Sequence, residues 1–280
     1  MRKFAGYPIV VNYNLHTRLR SESEEVRLHE GRQYEKERQL SVKTNTTSDA
    51  KIENGLYEVE LDQYEATVCA CLRKIEGNPV GRMVLGLLNK QTTVWIVPES
   101  DAELKKCYCA QTGPLNYDIQ TDGSYARGAG SGDTVIRFQP ELGDDTLLHE
   151  LVHAYRYSYN KYNPAYMHVQ AGQASADENS EEFLAHQMEN IYLSQAKRPL
   201  KTDYRLGWVA DKSEIYDFLL NNTDTLMALK FFLRHEYMAM LAAHSLSADY
   251  NPFRDYGMLE AEYRKDGSSA LPELGTILKH

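Results

Sequence analysis

The stretch Asp145-Thr-Leu-Leu-His149-Glu150-Leu-Val-His153-Ala-Tyr-Arg156 decides how this chain is read. It contains His-Glu-x-x-His, a spacing that puts two imidazoles one helical turn apart on one face. Two neutral imidazoles so placed can share one zinc ion, at ligand distances of about 2.0–2.1 Å. Glu150 projects alongside the pair and can take a proton from a water held at the metal. With so few histidines, chance supplies only about 0.02 such matches per chain. Leu148, Leu151, Val152 and Tyr155 recur at helical spacing beside the histidines, so the motif lies on a helix that can be buried. Asp144 and Asp145, just after Gly143, suit the N-cap and first turn, where their charge complements the helix N-terminus.

The rest of the chain narrows the function class. Its 280 residues make one large domain or two small ones, and 42% hydrophobic with 25% charged residues is ordinary globular composition. A formal net charge of −9, with no basic run to reverse it, argues against nucleic acid as a partner. No apolar run approaches the ~18 residues that cross a bilayer. The N-terminus begins basic, but its apolar part is too short and broken for a Sec signal peptide, so synthesis in a cytoplasm is expected. The cysteines form two Cys-x-Cys pairs, Cys69/Cys71 and Cys107/Cys109. Buried free thiols are expected there ahead of disulfides or a second, four-thiolate zinc.

Taken in order, residues 1–54 read as a polar N-terminal arm or extension with a strand near Tyr7–Tyr13. A helix is expected from Asp62 to Gly77 and a shorter one after Pro79. Thr92–Val97 and Thr134–Gln139 read as strands, separated by a long insertion. The second strand feeds into the His149 helix and is placed to wall a cleft, where an edge strand could pair with an extended peptide. A second helix is expected over Glu178–Ser194, then a loop over 195–211. Further helices follow, one around Ile215–Leu219 and one long or two short over Leu226–Met240. This is an α+β order, mostly helical, with a small sheet preceding the motif helix. The expected body spans 55–265 and the tail 266–280.

A catalytic zinc needs a third protein ligand and an open position for water. No further His follows His153 at metzincin spacing, so a carboxylate from the next helix is expected. Glu182 is the choice, because small Ala185 one turn on lets the two helices approach closely. Glu181 is the second choice, and Asn179-x-x-Glu182 also fits a capping box. Glu189, two turns on, can accept an imidazole N–H, and His186 competes both as ligand and as supporting group. Tyr166, His168, Tyr204 and Arg205 flank the two helices and are candidate transition-state donors. Arg156 is expected to pair with a carboxylate.

Leu148–Arg156, with Glu181-Glu182-Phe-Leu-Ala185, Glu189-Asn190-Ile-Tyr192 and the upstream Asn78-Pro-Val-Gly-Arg82, resembles the NleD-like bacterial effector zinc metallopeptidases. The resemblance covers roughly 62–205. It implies a zincin-like fold, one zinc ion, hydrolysis of peptide bonds in a protein substrate, and often delivery into another cell by a specialised secretion machine. Residue by residue it implies His149, His153 and Glu182 as ligands and Glu150 as base. His186 departs from the family pattern, where an apolar residue is usual. Two other readings compete: a zinc amidohydrolase acting on a non-protein amide such as a cell-wall peptide, and a binding module on the same scaffold. A secretion or immunity partner is not defined by the sequence.

Overall fold

The computed structural model describes residues 2–12, 49–98, 110–114, 118–119, 125–126, 132–163, 179–203, 207–209, 212–245 and 247–265. Two short strands, β1 (Arg2–Phe4) and β2 (Ile9–Val11), open the chain. Helix α1 (Asp49–Gly77) follows, and α2 (Pro79–Leu87) comes directly after it. The junction is specified locally. Asn78 accepts hydrogen bonds from the Val80 and Gly81 amides, and Pro79 takes the first helical position, where its missing N–H costs nothing. Gly81 is required by space, because a Cβ there would lie 2.1 Å from the Ile75 carbonyl oxygen.

Strands β3 (Val94–Pro98), β4 (Gln111–Pro114) and β7 (Thr134–Phe138) join β1 and β2 in a five-stranded mixed sheet of order β1-β2-β3-β7-β4. Between β4 and β7 lies a two-stranded ribbon, β5 (Asp118–Ile119) with β6 (Tyr125–Ala126). β2, β3 and β7 run parallel, whereas β4 is antiparallel to β7 and forms one edge. Central parallel strands are covered on both faces, which accounts for the buried Val-Ile character of β3 and β7.

Beyond β7, a 3-10 turn (Pro140–Leu142) and Gly143, at φ +94°, lead into α3 (Asp144–Ser158). Helix α4 (Ser180–Gln195) packs on α3, followed by the hairpin β8 (Leu200–Asp203) and β9 (Gly207–Val209). Helices α5 (Lys212–Asn221), α6 (Thr223–His235), α7 (Tyr237–Ala243) and α8 (Tyr256–Lys265) complete the described chain, with α6 against α4 and α7 against α2. The core runs from the sheet through Val68, Leu72 and Ile75 of α1 to Leu148, Leu151 and Val152 of α3. None of the described helices is long and apolar enough to cross a membrane.

The helix-rich body with a small sheet ahead of α3 follows the sequence-based expectation; several details differ. β7 is a central strand, and the edge belongs to β4, whose Gly113-Pro114 reads as a turn and is a strand only through its pairing with β7. Residues 195–211 carry a hairpin, not a loop. Helix α1 starts at Asp49, well before Asp62, and crosses the expected boundary at residue 54, while β1 and β2 belong to the main sheet. Gly77 is the last residue of α1, and Gly143, not Asp144, is the N-cap of α3. The Leu226–Met240 region is two successive helices, separated at Glu236, whose side chain caps α7 by accepting from the Met238 amide. Cys69 and Cys71 are buried free thiols, and burial raises the pKa of each; Cys107 and Cys109 lie outside the described residues.

Two buried features set expectations for stability. Arg156 donates two hydrogen bonds to Glu181, at 2.9 and 2.7 Å, and another to Glu236, which also accepts from the Tyr155 hydroxyl at 2.6 Å. Removing the guanidinium leaves Glu181 buried without its cation and Glu236 with only the Lys161 ammonium, 3.5 Å away. Arg156→Met is expected to lower the unfolding free energy by about 3–5 kcal/mol in a denaturant titration. Gly81→Ala is expected to cost about 1–3 kcal/mol, since the α1–α2 backbone must shift; an unchanged denaturation midpoint would contradict the close approach.

Candidate metal centre

Helix α3 presents His149 and His153 toward α4 and turns the Glu150 carboxylate toward β4, and all three are nearly buried. α4 begins at Asn179, whose side chain accepts from the Glu181 and Glu182 amides at 2.9 and 3.1 Å. Only half of a capping box forms, because the Glu182 carboxylate does not turn back but faces the imidazoles. Adjacent positions on a helix are about 100° apart, so Glu181 and Glu182 serve different ends. Glu181 binds Arg156, while Glu182 lies against His149 and His153.

Among the described residues, one group of His, Cys, Asp or Glu side chains could hold a metal ion: His149, His153 and Glu182, with all ligand atoms within 4.8 Å of one another. The two Nε2 atoms are 3.1 Å apart, His149 Nε2 is 3.1 Å from Glu182 Oε2, and His153 Nε2 is 3.4 Å from Glu182 Oε1. A tetrahedral ion with bonds of about 2.0–2.1 Å needs ligand atoms roughly 3.3 Å apart, so the triangle has the right size. Its chemistry fits as well. The Nδ1 of His149 faces Glu189 Oε2 at 3.4 Å, and a neutral imidazole that donates there has only a lone pair at Nε2. Lone pairs then converge from the three side chains, and a cation at their centre relieves the repulsion. With no ion at the centre, burial opposes charge on His149, but the hydrogen bonds that its doubly protonated ring donates to Glu182 and Glu189 outweigh that and hold its pKa well above the ordinary imidazole value, so a proton then stands where the cation would. Burial likewise opposes charge on Glu189, yet its bond to His149 and the Lys201 ammonium lower its pKa to about 2.

A cleft of about 400 Å³ opens on this triangle. β4 supplies Gln111 and Thr112, and Tyr157, Tyr162, Asn179 and Lys201 line the remainder. The Thr112 hydroxyl donates to Glu150 Oε2 at 2.6 Å. The rings of Tyr157 and Tyr162 stack at 4.1 Å, and Tyr162 meets His153 edge-on at 5.9 Å. His186 is not part of this group, and its Nε2 lies 3.1 Å from the Lys201 carbonyl oxygen.

No family model matches the chain, and no curated protein matches it. Among solved structures it is similar to the Clostridium botulinum neurotoxin serotype F light chain, at 15% identity and TM-score 0.30, covering 73% of this chain and 64% of that one. It is similar also to the botulinum neurotoxin serotype HA light chain, at 14% identity and TM-score 0.30, covering 72% and 61%. The chain thus spans less than two thirds of the length of either. Likeness at this level leaves the reading of the site to its own geometry.

The structure thus gathers His149, His153 and Glu182, sets Glu150 and Glu189 beside them, and separates Glu181 and His186 from them. Tyr166, His168, Tyr204 and Arg205 lie outside the described residues. Sequence reasoning missed Thr112, Tyr157, Tyr162 and Lys201. Thr112 sits in a four-residue strand with no alternation to read, and Lys201 in a segment read as loop.

Metal content is directly measurable. Purified protein is expected to bind about one zinc, lost in His149→Ala. Protons and the ion compete for the same nitrogens, and the raised pKa of His149 starts that competition above the usual imidazole range. Zinc affinity should therefore fall as the pH is lowered, and the fall should begin above the usual imidazole range. Affinity independent of pH would contradict ligation by these imidazoles.

Proposed function

We propose that the chain is a zinc-dependent metalloendopeptidase of zincin-like architecture, acting on peptide bonds of a protein substrate. The carrying observation is the convergence of His149, His153 and Glu182 at tetrahedral spacing, with Glu150 beside them, in a cleft bordered by an edge strand. The family resemblance of the motif segments adds the role of a secreted bacterial effector or toxin.

When bound, zinc supplies Lewis acidity toward a carbonyl oxygen and acidifies water at its open position. Of the three side chains that would hold the ion, Glu182 is the most exposed, at 27%, and it lines the cleft together with both imidazoles. Glu150 accepts the proton of the attacking water and returns it to the leaving amine nitrogen. Thr112 occupies one oxygen of the Glu150 carboxylate and leaves the other as proton acceptor.

β4 is suited to hold the substrate. Thr134 N–H donates to the Thr93 carbonyl on the β3 side, so the Thr134↔Pro114 pair is not hydrogen-bonded across β7 and β4. Alternation gives the Ile136↔Thr112 pair the same status, and the Thr112 N–H and C=O point outward along the open edge. An extended peptide pairing there presents its backbone beside Glu150 and the imidazoles. The Tyr157–Tyr162 stack forms an aromatic wall near His153.

The test is cleavage of a cell extract by zinc-loaded wild type and by Glu150→Gln, with labelling of new N-termini. Wild type is expected to generate discrete new termini, and Glu150→Gln to reduce their rate by about 10²–10⁴-fold while still binding zinc. An extract left intact by wild type, or cut equally by both, would overturn the proposal. Release of amino groups from cell-wall peptide instead would favour the amidohydrolase reading.

A further inference from the structure

We propose that Lys201 is a positioning residue of the metal centre, clamping the Glu189 carboxylate against His149 by bridging it to Asp145. Its ammonium lies 2.5 Å from Glu189 Oε1 and 2.6 Å from Asp145 Oδ2, and the two carboxylate side chains are only 2% and 3% exposed. Its backbone is fixed as well. The Lys201 N–H donates to Asn190 Oδ1 at 2.8 Å, and its carbonyl accepts from Asn190 Nδ2 at 2.9 Å, with His186 Nε2 at 3.1 Å. One residue of β8 thereby ties α4 to the first turn of α3.

The consequence for His149 is geometric. Glu189 has three side-chain torsions, and holding Oε1 on the ammonium keeps Oε2 at His149 Nδ1, 3.4 Å away. An imidazole that donates through Nδ1 directs its Nε2 lone pair at His153 and Glu182, the arrangement a metal ion requires. Without Lys201, Asp145 keeps Arg198, but Glu189 loses the ammonium that holds its Oε1 and is free to turn away. His186 gains a role from this arrangement: it braces the Lys201 carbonyl and is not itself a ligand.

This proposal builds on the reading that His149, His153 and Glu182 hold zinc. Its test measures zinc alone, by competition with a chromophoric chelator, on the full chain and its Lys201→Met, Glu189→Gln and doubly substituted variants. Lys201→Met and Glu189→Gln are each expected to weaken zinc binding by about 10–100-fold. The double variant should be no weaker than Glu189→Gln, because Lys201 acts through Glu189. The visible spectrum of the Co2+-loaded protein should change alike in both single variants. Wild-type affinity in Lys201→Met, or additive losses in the double variant, would overturn the proposal. Absence of zinc binding by the wild type would overturn the metal-site reading and this proposal with it. If Lys201→Met does not fold, the double variant is compared with Glu189→Gln, and a further loss there overturns the proposal.

Discussion

The site depends on the register of two antiparallel helices, which is fixed by buried charge at both ends. At one end, Arg156 near the end of α3 grips Glu181 in the first turn of α4. At the other, Asp144 in the first turn of α3 accepts from Tyr192 late in α4 and from Arg198 beyond it. Between these clamps lie the imidazoles and Glu182. A slip of one residue would rotate Glu182 by about 100° and remove it from the imidazoles. Metal bonds of about 2 Å tolerate little error, so the clamps matter more to the centre than general helix packing does.

Charge is arranged in layers around the triangle. Arg156, Glu181 and Glu236 form one buried network, and Lys201, Asp145, Glu189 and Arg198 another. Each gives buried carboxylates a cation, without which their desolvation would be costly. Asp145 bonds both Arg198 and Lys201, so the start of α3, the hairpin strand β8 and the site side of α4 are tied together. β4 adds the last wall, and through Thr112 it fixes the orientation of Glu150.

Much of this was legible in the sequence, for identifiable reasons. The period of α3 and α4 is strong, and His-Glu-x-x-His has a single geometric meaning on a helix. Glu182 was separable from Glu181 by its distance to Ala185, and the structure places the two side chains on different partners. The expected pairing of Arg156 with a carboxylate is seen in Glu181 and Glu236. The illegible parts are non-local. β4 is a strand only because β7 offers it an edge, and its Gly-Pro composition speaks for a turn. The β8–β9 hairpin looks like loop because Lys197-Arg-Pro-Leu-Lys carries no alternation. Lys201 could not be assigned a role while its partners, 12 and 56 residues upstream, were unplaced.

The central claim is that two imidazoles and one carboxylate hold a single zinc ion. X-ray absorption at the zinc edge of the loaded protein tests it most directly. The account predicts four nitrogen or oxygen neighbours at about 2.0–2.1 Å, with the outer-shell scattering of two imidazoles, both lost in His149→Ala. A sulfur shell at about 2.3 Å, pointing to the Cys-x-Cys pairs, would contradict it.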